Sequence, residues 1–186
     1  MNIKIIINII LINCLLISFA HAELKDENLL QSMPDGYKVG QMDKKEKVTF
    51  VEMVPKAQSV QTWTEMLTTT VYHGGIKLNL NQYYSAMSAM WKKSCKGSSG
   101  VFQSQGKENG YPFALWVLIC PLNPASQKPE WTWFKAIEGN DSFYVIQKSW
   151  RMEPKQDDVV SWMKYLRKIE VCDTRLPERK CPVVKK

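Results

Sequence analysis

A chain of 186 residues that is 45% apolar, with 25 Lys+Arg against 18 Asp+Glu, is neither low-complexity nor disordered, so one folded domain is expected. No G-x-x-x-x-G-K or G-x-G-x-x-G run is present, which excludes the usual nucleotide-phosphate cradles. Five Cys without a C-x-x-C pair, only two His and no D-x-D-x-D-G loop give no basis for a zinc or calcium site, and no metal or cofactor is expected.

The first element is Met1-Asn2-Ile3-Lys4 followed by an apolar run from Ile5 to Phe19 and the triplet Ala20-His21-Ala22. A basic start, about 15 apolar residues and an A-x-A site describe a Sec signal peptide over residues 1–22. The run is short for a membrane span of roughly 20 residues, and no stop-transfer flank follows. Lipoprotein processing at Cys14 is disfavoured, because Asn13 stands where a small residue is required. Cleavage after Ala22 removes Lys4, Cys14 and His21 and leaves 164 residues, 24 Lys+Arg against 18 Asp+Glu, four Cys and one His. The expectation is therefore a soluble exported protein, periplasmic or secreted.

An even four cysteines in an oxidising compartment read as two bridges out of three pairings. Cys172 with Cys181 is favoured because the two flank a short Pro-containing loop, and Cys95 with Cys120 remains. Residues 23–33 form a charged leader, either a short helix or a mobile arm. The domain then runs over residues 34–173, and residues 174–186 form a basic tail closed by the disulfide.

Tyr37 to Gln41 and Val48 to Val54, rich in β-formers and separated by Asp43-Lys44-Lys45-Glu46, predict a hairpin. Val60, Trp63, Leu67 and Val71 recur at three and four after Ser59, which predicts a helix ending at His73-Gly74-Gly75. A second helix is predicted from Asn79 or Asn81, with Tyr84, Met87, Trp91 and Cys95 on one core-facing stripe and Lys92, Lys93 and Lys96 in its last turn. Val101 to Gly106 and Pro112 to Cys120 flank an Asn109-Gly110 hairpin turn. Phe113 to Cys120 is apolar at every position, the pattern of a strand covered on both faces. After a loop from Pro121 to Pro129, Glu130 to Ile137 and Ser142 to Trp150 form another hairpin. A final helix starts near Pro154 to Asp157, buries Val159, Trp162, Met163, Leu166 and Ile169, and runs into Cys172. The order is ββ-αα-ββ-ββ-α, an α+β fold with an antiparallel sheet of about six strands and helices packed on it, and an α/β/α sandwich if helices cover both faces.

Several segments resemble a group of small exported bacterial proteins of unassigned function: Met33-Pro34-Asp35-Gly36-Tyr37-Lys38-Val39-Gly40, Glu108-Asn109-Gly110-Tyr111-Pro112-Phe113-Ala114, Cys120-Pro121-Leu122-Asn123-Pro124, the run from Phe134 to Tyr144, and Val171 to Pro177. That resemblance brings no activity with it. The element order is similar to the Mog1/PsbP-like α/β/α sandwich, whose members are mostly binding or assembly proteins; this too implies no functional residues.

His73, at a helix end before two glycines, lacks an identifiable nucleophile partner and reads as a capping or surface residue. Glu65, Glu108, Glu138 and Asp141 are the acids available for a carboxylate-dependent hydrolase acting on an envelope polymer, which needs two of them about 5 to 9.5 Å apart. Trp131 and Trp133 lie two apart on one strand, so both indoles share a face, as core or as a platform for sugars, apolar groups or cations. Arg167, Lys168, Arg175, Arg179, Lys180, Lys185 and Lys186 gather at the C-terminal end. They form either a solvated tail or an anion-binding patch, with Arg175, Arg179, Lys180, Lys185 and Lys186 as its candidates. The sequence thus points to an exported binding or interaction protein whose partner is a protein, glycan or lipid of the envelope or of a host. The hydrolase is the alternative, nucleic acid is the weakest partner, and no oligomeric state is implied.

Overall fold

The computed structural model describes residues 24–74 and 78–182. The expected signal peptide, with Lys4, Cys14 and His21, lies outside the described residues, as do Lys185 and Lys186. The strands are β1 (Glu27–Leu30), β2 (Tyr37–Lys45), β3 (Val48–Pro55), β4 (Glu65–His73), β5 (Ser99–Glu108), β6 (Tyr111–Asn123), β7 (Lys128–Glu138), β8 (Ser142–Trp150) and β9 (Glu170–Asp173). The helices are α1 (Leu80–Ser94) and α2 (Gln156–Lys168). Seven strands form one antiparallel sheet in the order β2-β3-β4-β8-β7-β6-β5, and β1 pairs with β9 in a separate two-stranded sheet. The fold is α+β, as expected, with a somewhat larger sheet than six strands.

The two helices fall on opposite faces of the sheet. The chain leaves β4 in the interior and re-enters at the β5 edge, and α1 covers the strands between them. Ala114, Trp116 and Leu118 of β6 pack beneath α1 with Phe134, Phe143 and Val145. Leu115 and Val117 point the other way, into a second core with Trp133, Ile146, Trp150 and Leu166 of α2. This is why β6 is apolar at successive positions. Asn79 caps α1 by accepting from the backbone N–H of Asn81 at 2.9 Å and of Gln82 at 3.4 Å, and Lys92 and Lys93 sit in its last turn. The β5–β6 turn places Asn109 at φ 45° and Gly110 at φ 78°, the two left-handed residues that an Asn-Gly hairpin turn requires.

Three expectations are corrected. The helix predicted through Val60, Trp63, Leu67 and Val71 is instead a loop followed by β4: Thr68, Thr69 and Thr70 are all buried, and three consecutive β-branched residues fit a pleated sheet covered on both faces. Val60 and Trp63 pack with Val54 and Met66 at the end of the sheet. The leader expected as a short helix or arm contains β1, which pairs residue for residue with β9: Glu27 lies opposite Asp173 and Leu30 opposite Glu170. The segment Pro121 to Pro129, expected as a loop, is mostly strand, because β6 continues to Asn123 and β7 begins at Lys128.

Both expected cysteine pairs are present. Cys95 and Cys120 join the end of α1 to β6, with Cα atoms 5.8 Å apart. Cys172 and Cys181 join β9 to the following 3-10 turn (Pro177–Arg179), with Cα atoms 4.8 Å apart.

Candidate functional site

The α2 face of the sheet carries the least ordinary chemistry in the molecule. Strand alternation places Tyr144, Ile146, Lys148 and Trp150 of β8 on this face, beside Trp131, Trp133, Lys135 and Ile137 of β7. Two lysines thus stand in otherwise apolar rows.

Lys148 is completely buried. Its Nζ donates to the Tyr37 hydroxyl and to Glu65 Oε2, each at 2.6 Å. Nζ also lies 3.8 Å from the ring centroid of Trp162, 4.7 Å from Trp150 and 5.1 Å from Tyr37. An ammonium removed from water is tolerated when hydrogen bonds and aromatic faces replace its hydration. The replacement is incomplete: burial pulls the Lys148 ammonium down to about 8, against the opposing hydrogen bond and charge of Glu65. Burial alone would raise Glu65, but the hydrogen bonds from Lys148 and Tyr37 prevail and hold its carboxyl below the ordinary range. Burial and the Glu65 carboxylate keep Tyr37 protonated far above its usual range.

Lys135 fills a different role. Its Nζ donates to the backbone carbonyls of Leu166 at 2.9 Å and Ile169 at 2.6 Å and forms an ion pair with Glu108. A cation at the C-terminal carbonyls of α2 adds a strong donor where the helix leaves its acceptors under-used, the Leu166 carbonyl accepting otherwise only from the Ile169 N–H at 3.2 Å, and it offsets the helix dipole. Burial nevertheless lowers the Lys135 pKa. Lys135 thus meets the C-terminal end of α2, and Lys148 meets the Trp162 ring at its middle.

The aromatic residues continue beyond Lys148. Trp162 packs edge-on against Trp150 at 6.4 Å, and Trp150 against Trp133 at 5.4 Å. Trp133 in turn stacks on Trp131 at 6.0 Å with 17° between planes. The expected shared face of Trp131 and Trp133 is therefore real, but the two are not equivalent. Trp133 is only 7% exposed, whereas Trp131 is half-buried at the outer end of the stack.

Beyond Trp131 the sheet outruns its helix. A helix about 10 Å wide spans roughly two strand spacings, and α2 leaves the β5 side of this face open. Register carries the row outward from Trp131 to Ile119, and Val101 follows one pair along on β5. Val101 of β5 is 53% exposed and Val160 of α2 is 41% exposed. A cavity of about 130 Å³ near the end of α2 is bounded by Ser104, Glu108, Phe113, Leu115, Lys135, Leu166 and Arg167. A wider groove of about 720 Å³ lies over the opposite end of the sheet, where Asp43, Lys45 and Glu46 bring both signs of charge to Val48 and Phe50.

The other candidates are placed as follows. Glu65 and Glu108 are each committed to a lysine and stand on strands separated by four lateral spacings, about 19 Å. Asp141 pairs with Arg175 at 2.6 Å, and Glu138 is half-buried at the end of β7. His73 Nε2 hydrogen bonds with Thr49 Oγ1 at 2.8 Å, at the end of a strand rather than a helix. Of the basic tail, Arg175 is held by Asp141 and by Asp173 at 2.7 Å, with Asp26 at 3.9 Å, and the Arg175 contacts keep Asp173 below the ordinary carboxylate range. Arg179 lies 4.3 Å over the ring of Tyr111. Lys180 is exposed. Among the described residues the tail cations thus form internal locks more than an open patch. The buried Lys148 and Lys135 were not anticipated. The available signal was a lysine in the middle of an apolar alternation, at Lys148 between Ile146 and Trp150 and at Lys135 between Trp133 and Ile137.

The architecture is that of an α+β sandwich, one antiparallel sheet with a helix on either face. No family model matches the chain, and no curated protein sequence matches it. Among solved structures it is similar to the cyanobacterial PsbP (CyanoP) of Synechocystis sp. PCC 6803, with 12% identity and a TM-score of 0.49, covering 85% of this chain and 98% of that one. At that level the likeness carries nothing about what this chain binds.

Proposed function

We propose that the protein is exported and acts as a non-catalytic binding protein of the bacterial envelope or secreted fraction, with Trp131 as the contact for its ligand. The observation that carries this reading is the pairing of a buried and a half-buried indole, Trp133 behind Trp131. A wall whose rings are already fixed by packing loses little side-chain freedom on binding. Export is supported by the N-terminal pattern of residues 1–22 and by two bridged cysteine pairs, which persist in oxidising compartments. A hydrolase using Glu65 and Glu108 is disfavoured because each carboxylate is already committed to a buried lysine, Glu65 to Lys148 and Glu108 to Lys135.

The test is capture from native envelope and culture medium on immobilised protein, with mass spectrometry for proteins and lipids, alongside Trp131→Ala. Enrichment that falls at least tenfold in the variant is expected. Equal capture by both forms refutes Trp131 as the site.

A further inference from the structure

We infer that the cavity beside the Cys95 to Cys120 bridge takes a short primary alkylammonium, as a free amine or as a lysine side chain, with its charge on Glu130. This site is separate from Trp131, because strand alternation turns Glu130 toward the α1 face of the sheet and Trp131 toward the α2 face. The cavity measures about 240 Å³ and lies between Met90, Trp91 and Ser94 at the end of α1 and Asn123, Pro124 and Glu130 of the β6–β7 hairpin, with both bridged cysteines in its lining. The bridge ties the α1 wall to the β6 wall, so the space is formed before any ligand enters. Its volume is about eight times the roughly 30 Å³ that one water takes in the liquid, room for a chain of a few carbons.

Glu130 is the one charged residue in that lining. Asn123 Nδ2 donates to Glu130 Oε2 at 2.6 Å and the Thr132 hydroxyl to Oε1 at 3.5 Å, so neutral donors orient the carboxylate. Among the described residues no Lys or Arg lies within ion-pair distance of it, whereas Glu65, Glu108, Asp141 and Asp173 each have one. A half-buried carboxylate whose charge is unmatched attracts a cation more strongly than one fully in water. The C-terminal end of α1 adds to that attraction through its dipole. Lys92 and Lys93 of the last helical turn are exposed and do not line the cavity. An ammonium brings three donors. Beside the Glu130 oxygens, Ser94 Oγ donates to the Met90 carbonyl at 2.9 Å and keeps its lone pairs to accept one of them. Met90, Trp91 and Pro124 supply apolar wall for the chain, and an indole suits a cation and an alkyl group alike.

The probe is n-butylammonium, titrated at constant ionic strength into isotope-labelled protein and followed by amide chemical shifts. Saturable shifts are expected at Ser94, Cys95, Asn123 and Glu130. Glu130→Gln keeps an acceptor for Asn123 and removes the charge, and it should weaken binding by about tenfold or more. Met90→Lys, at a helix position that is 54% exposed, should do the same by tethering an ammonium beside the cavity, so the test stands even if Glu130→Gln does not fold. Trp131→Ala should leave the titration unchanged. Comparable shifts with butyrate refute the role of the charge, and ammonium ion binding as well as n-butylammonium refutes the role of the chain. Unchanged binding in both variants, or shifts only outside these residues, refutes the site. N-acetyl-lysine methylamide separates the two sources: tighter binding than n-butylammonium assigns the cavity to a lysine of a partner protein, and weaker binding assigns it to a free amine.

Discussion

Replacing Lys148 by Met retains most of the stem packed between Trp150 and Trp162 and removes the ammonium, so it isolates the consequence of burying that charge. A pKa that falls from 10.5 to about 8 on folding means that the folded protein carries about 3 kcal/mol of unfavourable free energy at neutral pH. Between those two values the unfolded chain holds a proton that the folded chain has already released. Stability contributed by this site therefore rises with pH there, by up to about 1.4 kcal/mol per pH unit. The wild type should gain about 2 kcal/mol relative to Lys148→Met between pH 8 and about 9.5. Tyrosines that stay protonated on folding lower stability near and above their ordinary range, but they are common to both proteins and cancel in the difference. The assay is urea unfolding followed by Trp fluorescence at a series of pH values, with the two stabilities subtracted at each. Parallel curves, or a difference of the opposite slope, would refute the argument. Adding Glu65→Gln to Lys148→Met should bring neutral-pH stability level with the wild type or above it, since a buried ion pair replaced as a unit is often neutral or stabilising. Lys148→Ala, which leaves Glu65 without its cation as Lys148→Met does and in addition opens a cavity, should lose about 3 to 5 kcal/mol.

Three further outcomes follow from local geometry. Glu27 accepts from the backbone N–H of Asn140 at 2.6 Å, Asp141 at 3.2 Å and Ser142 at 3.1 Å and from the Tyr144 hydroxyl at 3.0 Å, so Glu27→Ala should cost about 2 kcal/mol and speed amide exchange at residues 140–142. Gly139→Ala should act at the same place, because its Cβ would press on Glu27 Oε1 and stand 2.6 Å from the Ser142 carbonyl oxygen; unchanged melting of this variant would contradict the packing described. Removing the Cys95 to Cys120 bridge, 25 residues apart in sequence, should cost about 3.5 kcal/mol, against about 2.7 kcal/mol for Cys172 to Cys181, nine apart, in a chain-entropy reckoning tested by denaturant unfolding of the paired Ser variants.

How far the sequence discloses this molecule depends on whether a residue's neighbours along the chain are also its neighbours in the core. The Asn109-Gly110 turn, the Asn79 cap and the hairpins were legible because each is decided within a few residues. So was the doubly covered β6, whose unbroken apolar run states that both of its faces are enclosed. The β4 segment misled because a strand buried on both faces loses its period of two, and the leftover spacing of Val60, Trp63, Leu67 and Val71 happens to suit a helix. Thr68-Thr69-Thr70 was the contrary signal. The four-residue strands β1 and β9 are too short to show any period, and each exists because the other does.

The candidate site follows the same logic. That Trp131 and Trp133 share a face was decided locally, but which of the two stays accessible depends on where α2 ends its cover, some thirty residues later. Lys148 was hidden for the opposite reason. A lysine among Ile146, Trp150 and Trp162 reads as a surface residue until Glu65 and Tyr37, from strands 83 and 111 residues away, are placed against it. A charge that interrupts an apolar alternation, without the neighbouring polar residues that would mark a solvent face, is therefore itself a signal that a distant partner exists. Applied to β7 and β8, that rule selects Lys135 and Lys148, the two cations by which the sheet meets α2, one at its C-terminal carbonyls and one at Trp162.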